Sequence, residues 1–337
     1  MTATPTLPAP PAPPALPALP ALPALADLEA AAALVYAAMP PTPQYRWPLL
    51  EARTGTETWV KHENHTPAGA FKVRGGIAYF DWLARQVPRV AGVVTATRGN
   101  HGQSVGLASA RLGIPAVVVV PHGNSREKNA AMRAQGVELV EAGDDFQASV
   151  EAADAIARER GWHRLPSFHP LLVAGVGTYA LELFRAVPAL DTVYVPIGLG
   201  SGACGVLAAR GALGLSTEVV GVVSAHAPAY ARSLAAGRPE SHPATTRLAD
   251  GMACRTPVPD ALALLGGLAR VVEVTDDEVA HAMRALFHDT HNAAEGAGAA
   301  SLAALLQERD RARGRRVAVV LCGGNVDADV FAGVLAG

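Results

Sequence analysis

From residue 90 onward one pattern recurs: a short apolar run, a turn rich in glycine or polar residues, then a longer stretch with helical spacing. GVVTAT, AVVVVP and VELVEAG alternate with HGQSVGLASARLG, SREKNAAMRAQG and FQASVEAADAIARERG as far as about residue 168. The alternation resumes after His169 with a helix over about 175–186 and the strands TVYVPIG and EVVGVVS, separated by a helix after Gly202. An irregular stretch over about 225–270 follows, then VVEVT, helices over about 276–291 and 295–307, the strand VAVVLC, and a helix from about 326. Short apolar strands joined by helices run parallel and are buried on both faces. The expected fold is α/β, with two open, mostly parallel sheets flanked by helices. A smaller unit over 90–168 is inserted in a larger one made of 26–89 and 169–337.

Ahead of this block the chain reads differently. Residues 1–25 are almost entirely Pro, Ala, Leu and Thr with a PALPALPAL repeat, which favours polyproline II and a disordered tail. No positive n-region accompanies it, as a signal peptide requires. ADLEAAAALVYAA over 26–38 is helical, with Asp27 a candidate N-cap and Pro40 and Pro41 as the stop. TPQYRWPLL over 42–50 reads as extended, and TETWVKH over 56–62 as a strand.

Half of the 337 residues are hydrophobic and 17% are charged, which suits a compact enzyme rather than a disordered chain. Thirty acidic against 28 basic residues leave a net charge of −2, so no electrostatic case exists for nucleic acid or an anionic membrane as partner. Three widely spaced cysteines without a CxxC point to neither a disulfide framework nor a zinc site and fit a reducing cytoplasm. No apolar run approaches the roughly 20 residues of a membrane span.

Four stretches carry candidate chemistry. In KHENHTPAGAFKVRGG, Lys72 stands between Phe71 and Val73 among the glycines at 69, 75 and 76; desolvation there would lower its pKa toward Schiff-base chemistry, although a helix-start lysine snorkelling to water fits equally. TATRGNHGQS and VPIGLGSGACG are strand-to-helix turns whose backbone N–H groups suit an anion, or are ordinary turns. In the second, Gly198, Gly200 and Gly202 admit a phosphate closely while Leu199, Ser201 and Gly202 offer donors, but no Walker lysine follows. LCGGNVD ends the last strand, where Cys322 either meets a cleft or is plain core. HNAAEGAGAAS places Glu295 at a helix start, where a capping role would suffice.

With AFKVRGG, RGNHGQ, GLGSG and CGGNVD in this order, residues from about 40 to 330 resemble the threonine/serine dehydratase and serine racemase branch of the type II fold of pyridoxal-phosphate enzymes. AGVGT at 174–178, LADGM at 248–252 and EGAGA at 295–299 are weaker matches. The resemblance implies that Lys72 holds pyridoxal 5'-phosphate covalently and acts as base on Cα. By the same carry-over, Gly198, Leu199, Gly200, Ser201 and Gly202 bind the phosphate, Phe71 packs on the ring, and Asn100 bonds the ring hydroxyl. Gly251, Glu295 and Gly323 are placed beside the cofactor, and Cys322 faces the pyridine nitrogen. Thr97, Arg98, Gly99, Asn100 and His101 are placed around the substrate.

The implied activity is β-elimination from a 3-hydroxy amino acid such as L-threonine or L-serine, giving a 2-oxo acid and ammonia, by a homodimer. The alternatives are a less usual substrate (phenylserine-, hydroxyaspartate- or hydroxyectoine-derived), a β-replacement enzyme, or a non-catalytic binding protein. Several positions depart from the family pattern. Arg98 stands where Ser or Ala is usual, and it pairs either with a second carboxylate or polar group of an unusual substrate or with solvent or a structural carboxylate. Ala70 replaces a serine, and Val176 a glutamine for which the sequence supplies no physical account. Val223 and Ala229 fall near the places where some relatives bind a divalent cation, so no metal is expected.

Overall fold

Two sheets, of six and four strands, carry the chain in a computed structural model that describes residues 20–86 and 89–337. Most of the tail expected over 1–25 therefore lies outside the described residues. In order, the first part of the chain forms α1 (Leu25–Tyr36), β1 (Gln44–Arg46), α2 (Pro48–Thr54), β2 (Glu57–His62) and α3 (Lys72–Ala84). Next come β3 (Val93–Ala96), α4 (Asn100–Leu112), β4 (Ala116–Val120), α5 (Arg126–Ala134), β5 (Glu138–Glu141), α6 (Phe146–Arg160) and β6 (His163–Arg164). The chain continues through α7 (Pro170–Ala186), β7 (Thr192–Pro196), α8 (Ser201–Ala212), β8 (Glu218–Ser224), α9 (Ala229–Ala236) and α10 (Pro259–Leu264). It closes with β9 (Arg270–Val274), α11 (Asp276–Thr290), α12 (Gly296–Gln307), α13 (Arg309–Ala312), β10 (Arg316–Leu321) and α14 (Ala328–Ala336).

The larger sheet has the order β1-β2-β10-β7-β8-β9, parallel except for β1, and the smaller β5-β4-β3-β6 is parallel throughout. Their central strands are apolar on both faces because helices cover both: every residue of β3, β4 and β7 is buried. Each such valine contributes about 1.5–3 kcal/mol by leaving water.

Four local expectations are corrected. α1 starts at Leu25 with Ala24 at its N-cap, and Asp27, three residues in, accepts the Ala24 N–H at 2.9 Å instead of capping the helix itself. Residues 42–50 are not extended throughout: β1 pairs antiparallel with β2, and α2 starts at Pro48, whose fixed φ and missing N–H suit a first helical position. α7 begins at Pro170 for the same reason, earlier than about 175. The stretch over 225–270 holds α9 and α10, short helices whose signal its many Pro, Ser and Thr residues conceal.

α3, α7 and α8 cross with their backbones in contact. A Cβ on Gly75 would lie 2.9 Å from the Leu172 carbonyl oxygen, and one on Gly175 2.4 Å from that of Arg74. Val176 lies in this crossing, with one methyl 3.3 Å from the Cβ position of Gly75 and the other 3.3 Å from that of Gly205. An apolar side chain fits there, whereas a carboxamide would need buried hydrogen-bond partners.

The same helix α3 carries a fully buried guanidinium. Arg74 pairs with Glu63 at 2.7 Å and Glu182 at 2.6 Å, Glu182 also holds Lys61 at 2.6 Å, and Thr42 donates to Glu63 at 2.5 Å. Burial alone would weaken the Arg74 proton, but the two carboxylates outweigh it and hold the charge more firmly than in water. This network fixes the first turns of α3, and so the place of Lys72.

Candidate active site

Several chain segments converge on one cleft between the sheets, among them the start of α3, the turn before α4, the turn before α8, the 250–252 turn, the start of α12 and the end of β10. Open α/β sheets form such crevices at the carboxyl ends of their strands.

Lys72 begins α3 at the cleft wall. The preceding residue is clamped to the last strand, since the Phe71 N–H donates to the Cys322 carbonyl at 3.0 Å and Ala70 bridges Gly323. Lys72 is half-buried because the cleft reaches it, yet protein packs around its amine, and that burial pushes its pKa down to about 8. Among the described residues no carboxylate pairs with Nζ; it donates to Ser201 Oγ at 2.8 Å. The snorkelling alternative is thereby excluded.

Ser201 opens α8, whose N-terminal amides are the donors of the glycine turn. Cys204 N–H is bonded to Gly200 O at 2.9 Å, so the amides of Ser201, Gly202 and Ala203 precede the helix's own ladder. Two of the turn's glycines are required. Gly200 has φ +98°, and a Cβ on Gly198 would lie 2.3 Å from the Gly251 carbonyl oxygen.

Across the cleft, Cys322 is buried, which pushes its thiol well above the usual range and keeps it neutral. Glu295 precedes α12 but makes no side-chain cap bond, so a simple capping role is excluded. Its Oε1 instead accepts from Asn100 Nδ2 at 2.6 Å, and its Oε2 lies 3.1 Å from Lys128 Nζ, an ion-pair distance without hydrogen-bond alignment. Burial raises the Glu295 pKa, opposed by the Lys128 charge. Burial opposes the Lys128 charge too, but Glu295 and Asp250, the latter 2.7 Å away, hold it protonated above its ordinary value. Asn100 is oriented from both ends, because its Oδ1 accepts from Asn325 Nδ2 at 2.8 Å.

The turn before α4 completes the wall. Thr97 Oγ1 accepts the Gly99 N–H at 2.9 Å, and a Cβ on Gly99 would lie 2.4 Å from Lys128 Cδ. His101 is buried, which together with the Lys72 and Arg164 charges pushes it down to about 3, so its ring is neutral. Its Nε2 has no partner among the described residues.

Fifteen of the expected site residues line this cleft: Phe71, Lys72, Thr97, Arg98, Gly99, Asn100, His101, Gly198, Leu199, Gly200, Ser201, Gly202, Gly251, Glu295 and Cys322. Gly323 sits behind the wall, where its carbonyl accepts the Glu295 N–H at 3.2 Å and a Cβ would come 2.4 Å from Glu295 Oε1. Among the lining residues that were missed, two are charged, Lys128 and Asp250. Asp250 lies within the LADGM run from which only Gly251 was drawn. Lys128 was read as part of an ordinary helix; its signal was a lysine one turn before the buried Met132, on the covered face of α5.

An amine held with a lowered pKa, a glycine turn at a helix N-terminus, and a neutral thiol across the cleft make a donor set for a group that carries an aldehyde and a phosphate. Residues 35–323 match the model of the pyridoxal-phosphate dependent enzyme family. The chain belongs to that family. Its cofactor is pyridoxal phosphate. Among curated relatives, the L-threonine ammonia-lyase of Thermotoga maritima is 34% identical over 285 residues, 84% of this chain and 71% of that protein. The biosynthetic L-threonine dehydratase of Salmonella typhimurium is 34% identical over 299 residues; the match takes in 88% of this chain and 58% of that protein's length. Among solved structures, the T.th. threonine deaminase superposes with a TM-score of 0.83 at 32% identity over 90% of this chain and 99% of that one. Maize serine racemase superposes with a TM-score of 0.85 at 27% identity, over 93% and 97%.

Proposed function

We propose that this chain is a pyridoxal-phosphate-dependent ammonia-lyase that removes the hydroxyl and amino groups of a 3-hydroxy amino acid such as L-threonine or L-serine, yielding a 2-oxo acid and ammonia. The observation that carries this reading is Lys72, a partly neutral amine with no counter-ion, 2.8 Å from the serine that opens the α8 turn. Lys72 would hold the cofactor covalently, and Gly198 to Gly202 its phosphate, Phe71 packing against its ring. When bound, pyridoxal phosphate supplies an electron-accepting ring that acidifies the Cα–H of an amino acid.

The chain's own groups do the rest. Lys72 Nζ, with its pKa near 8, would take the Cα proton close to neutral pH. The free amides at the start of α4 and the Thr97 hydroxyl bind the α-carboxylate, and the neutral His101 avoids adding a competing charge. Cys322 keeps its own proton, so it cannot hold a pyridine nitrogen protonated as a carboxylate would; this favours expulsion of a β-substituent over transamination. Lys128, on the side of the smaller sheet, ties to Asp250 and Glu295 on the larger, which supports residues 90–168 acting as a unit that closes over the substrate. A homodimer in the cytoplasm belongs to the same reading.

The test is direct. The purified protein should show a visible absorption band that borohydride fixes to Lys72, and should release keto acid from threonine or serine. A protein that carries the band but acts on no 3-hydroxy amino acid refutes the lyase reading.

A further inference from the structure

The turn before α4 holds one cation that the proposed chemistry does not use. Arg98 lines the cleft beside Phe146 and Ser167, and among the described residues its guanidinium makes no hydrogen bond or ion pair. Its Nε is buried without a partner. An orphaned buried donor is costly, by roughly 1–3 kcal/mol, unless a ligand satisfies it.

Three carboxylates at or beside the cleft are already committed. Asp145, whose proton affinity senses the Arg98 charge, accepts the Ala148 N–H at 2.8 Å and pairs with Arg255 at 2.8 Å. Asp250 and Glu295, the carboxylates of the cleft, share Lys128. The α-carboxylate of an amino acid does not need Arg98 either. The first amide spent inside α4 is that of Gln103, bonded to Gly99 O at 3.0 Å, so those of Asn100, His101 and Gly102 are free for it. A permanently charged fork is left over in a cleft whose other permanent cation, Lys128, is paired.

We propose that Arg98 sets specificity by pairing with a second carboxylate on the substrate side chain, so that the preferred substrates are 3-hydroxy dicarboxylic amino acids rather than neutral ones. The proposal rests on the amino-acid site of the preceding section. It narrows the substrate class from threonine and serine toward 3-hydroxyaspartate. A charge-assisted, bidentate contact in a half-buried site favours the diacid by roughly 10- to 100-fold.

Binding and turnover test it separately. L-Aspartate and L-2-aminobutyrate have no β leaving group, so calorimetry on the cofactor-loaded protein reads their affinities without elimination. The expected result is an aspartate affinity at least tenfold above that of 2-aminobutyrate, lost in Arg98→Gln and partly kept in Arg98→Lys. In turnover, Arg98→Gln should lower the ratio of kcat/KM for 3-hydroxyaspartate over threonine at least tenfold. Equal affinities in the unaltered protein, a preference that survives Arg98→Gln, or equal losses on both substrates would each overturn the proposal. An Arg98-dependent preference for aspartate without keto-acid release from any 3-hydroxy amino acid would uphold the pairing of Arg98 with a side-chain carboxylate and remove the lyase reading together with the 3-hydroxy substrate class; threonine turnover without that preference would overturn the pairing and keep the lyase reading.

Discussion

Helix α3 carries two cations two residues apart, and they have opposite fates. Arg74 is fully enclosed, held by Glu63 and Glu182, and keeps its charge more firmly than in water. Lys72 faces the cleft with the Ser201 hydroxyl as its only acceptor among the described residues, and burial pushes it down to about 8. Burial with carboxylate partners fixes a charge, while burial without them makes it easy to discharge. The first arrangement is structural, and the second is what a nucleophile and base requires.

Substitution at each site should separate the two roles. Lys72→Ala is expected to abolish the visible band and lower keto-acid formation by roughly 10³-fold or more, while thermal unfolding shows no loss of stability, because no ion pair is broken. Glu63→Ala should do the opposite and cost about 3–5 kcal/mol in urea unfolding, since it leaves the Arg74 charge buried with half its partners. If Glu63→Ala proved neutral, the contrast between the cations would collapse.

Smaller effects sharpen the picture at the cofactor. Gly198→Ala pushes a methyl to within 2.3 Å of the Gly251 oxygen, and displacing that backbone should cost about 1–3 kcal/mol, read as at least tenfold weaker pyridoxal-phosphate binding by absorbance titration. The rate at which cofactor-free protein captures pyridoxal phosphate should fall about tenfold per pH unit below about 8 and level off above it, because only the neutral amine attacks. Ser201→Ala should move this limb to lower pH, since the hydroxyl accepts from the charged form. A limb that stayed above pH 10 would show Lys72 to be as well solvated as a surface lysine.

The βα alternation was legible because a sheet covered on both faces demands runs such as AVVVV, and helices α4, α5 and α6 announce themselves by spacing. The glycine turns and Lys72 were legible because tight turns and close backbone approaches restrict those positions to few residue types. Other features had no local signal. α2 and α9 are too short for periodicity to rise above their surroundings, and Lys128 looked like any helical lysine until α5 was laid beside residues 250 and 295, far away in sequence.

The sequence by itself determined the fold class, the family and the order of the motifs around Lys72, since these follow from patterns only a few residues long. Tertiary structure decided the charge states. That Arg74 meets Glu182, that Lys128 meets Asp250, and that Glu295 turns to Asn100 rather than capping α12 all depend on groups a hundred or more residues apart, and that Arg98 is left without a carboxylate among the described residues is likewise settled only by tertiary packing. A pKa or an unspent donor belongs to the three-dimensional neighbourhood, and no local stretch of chain encodes it.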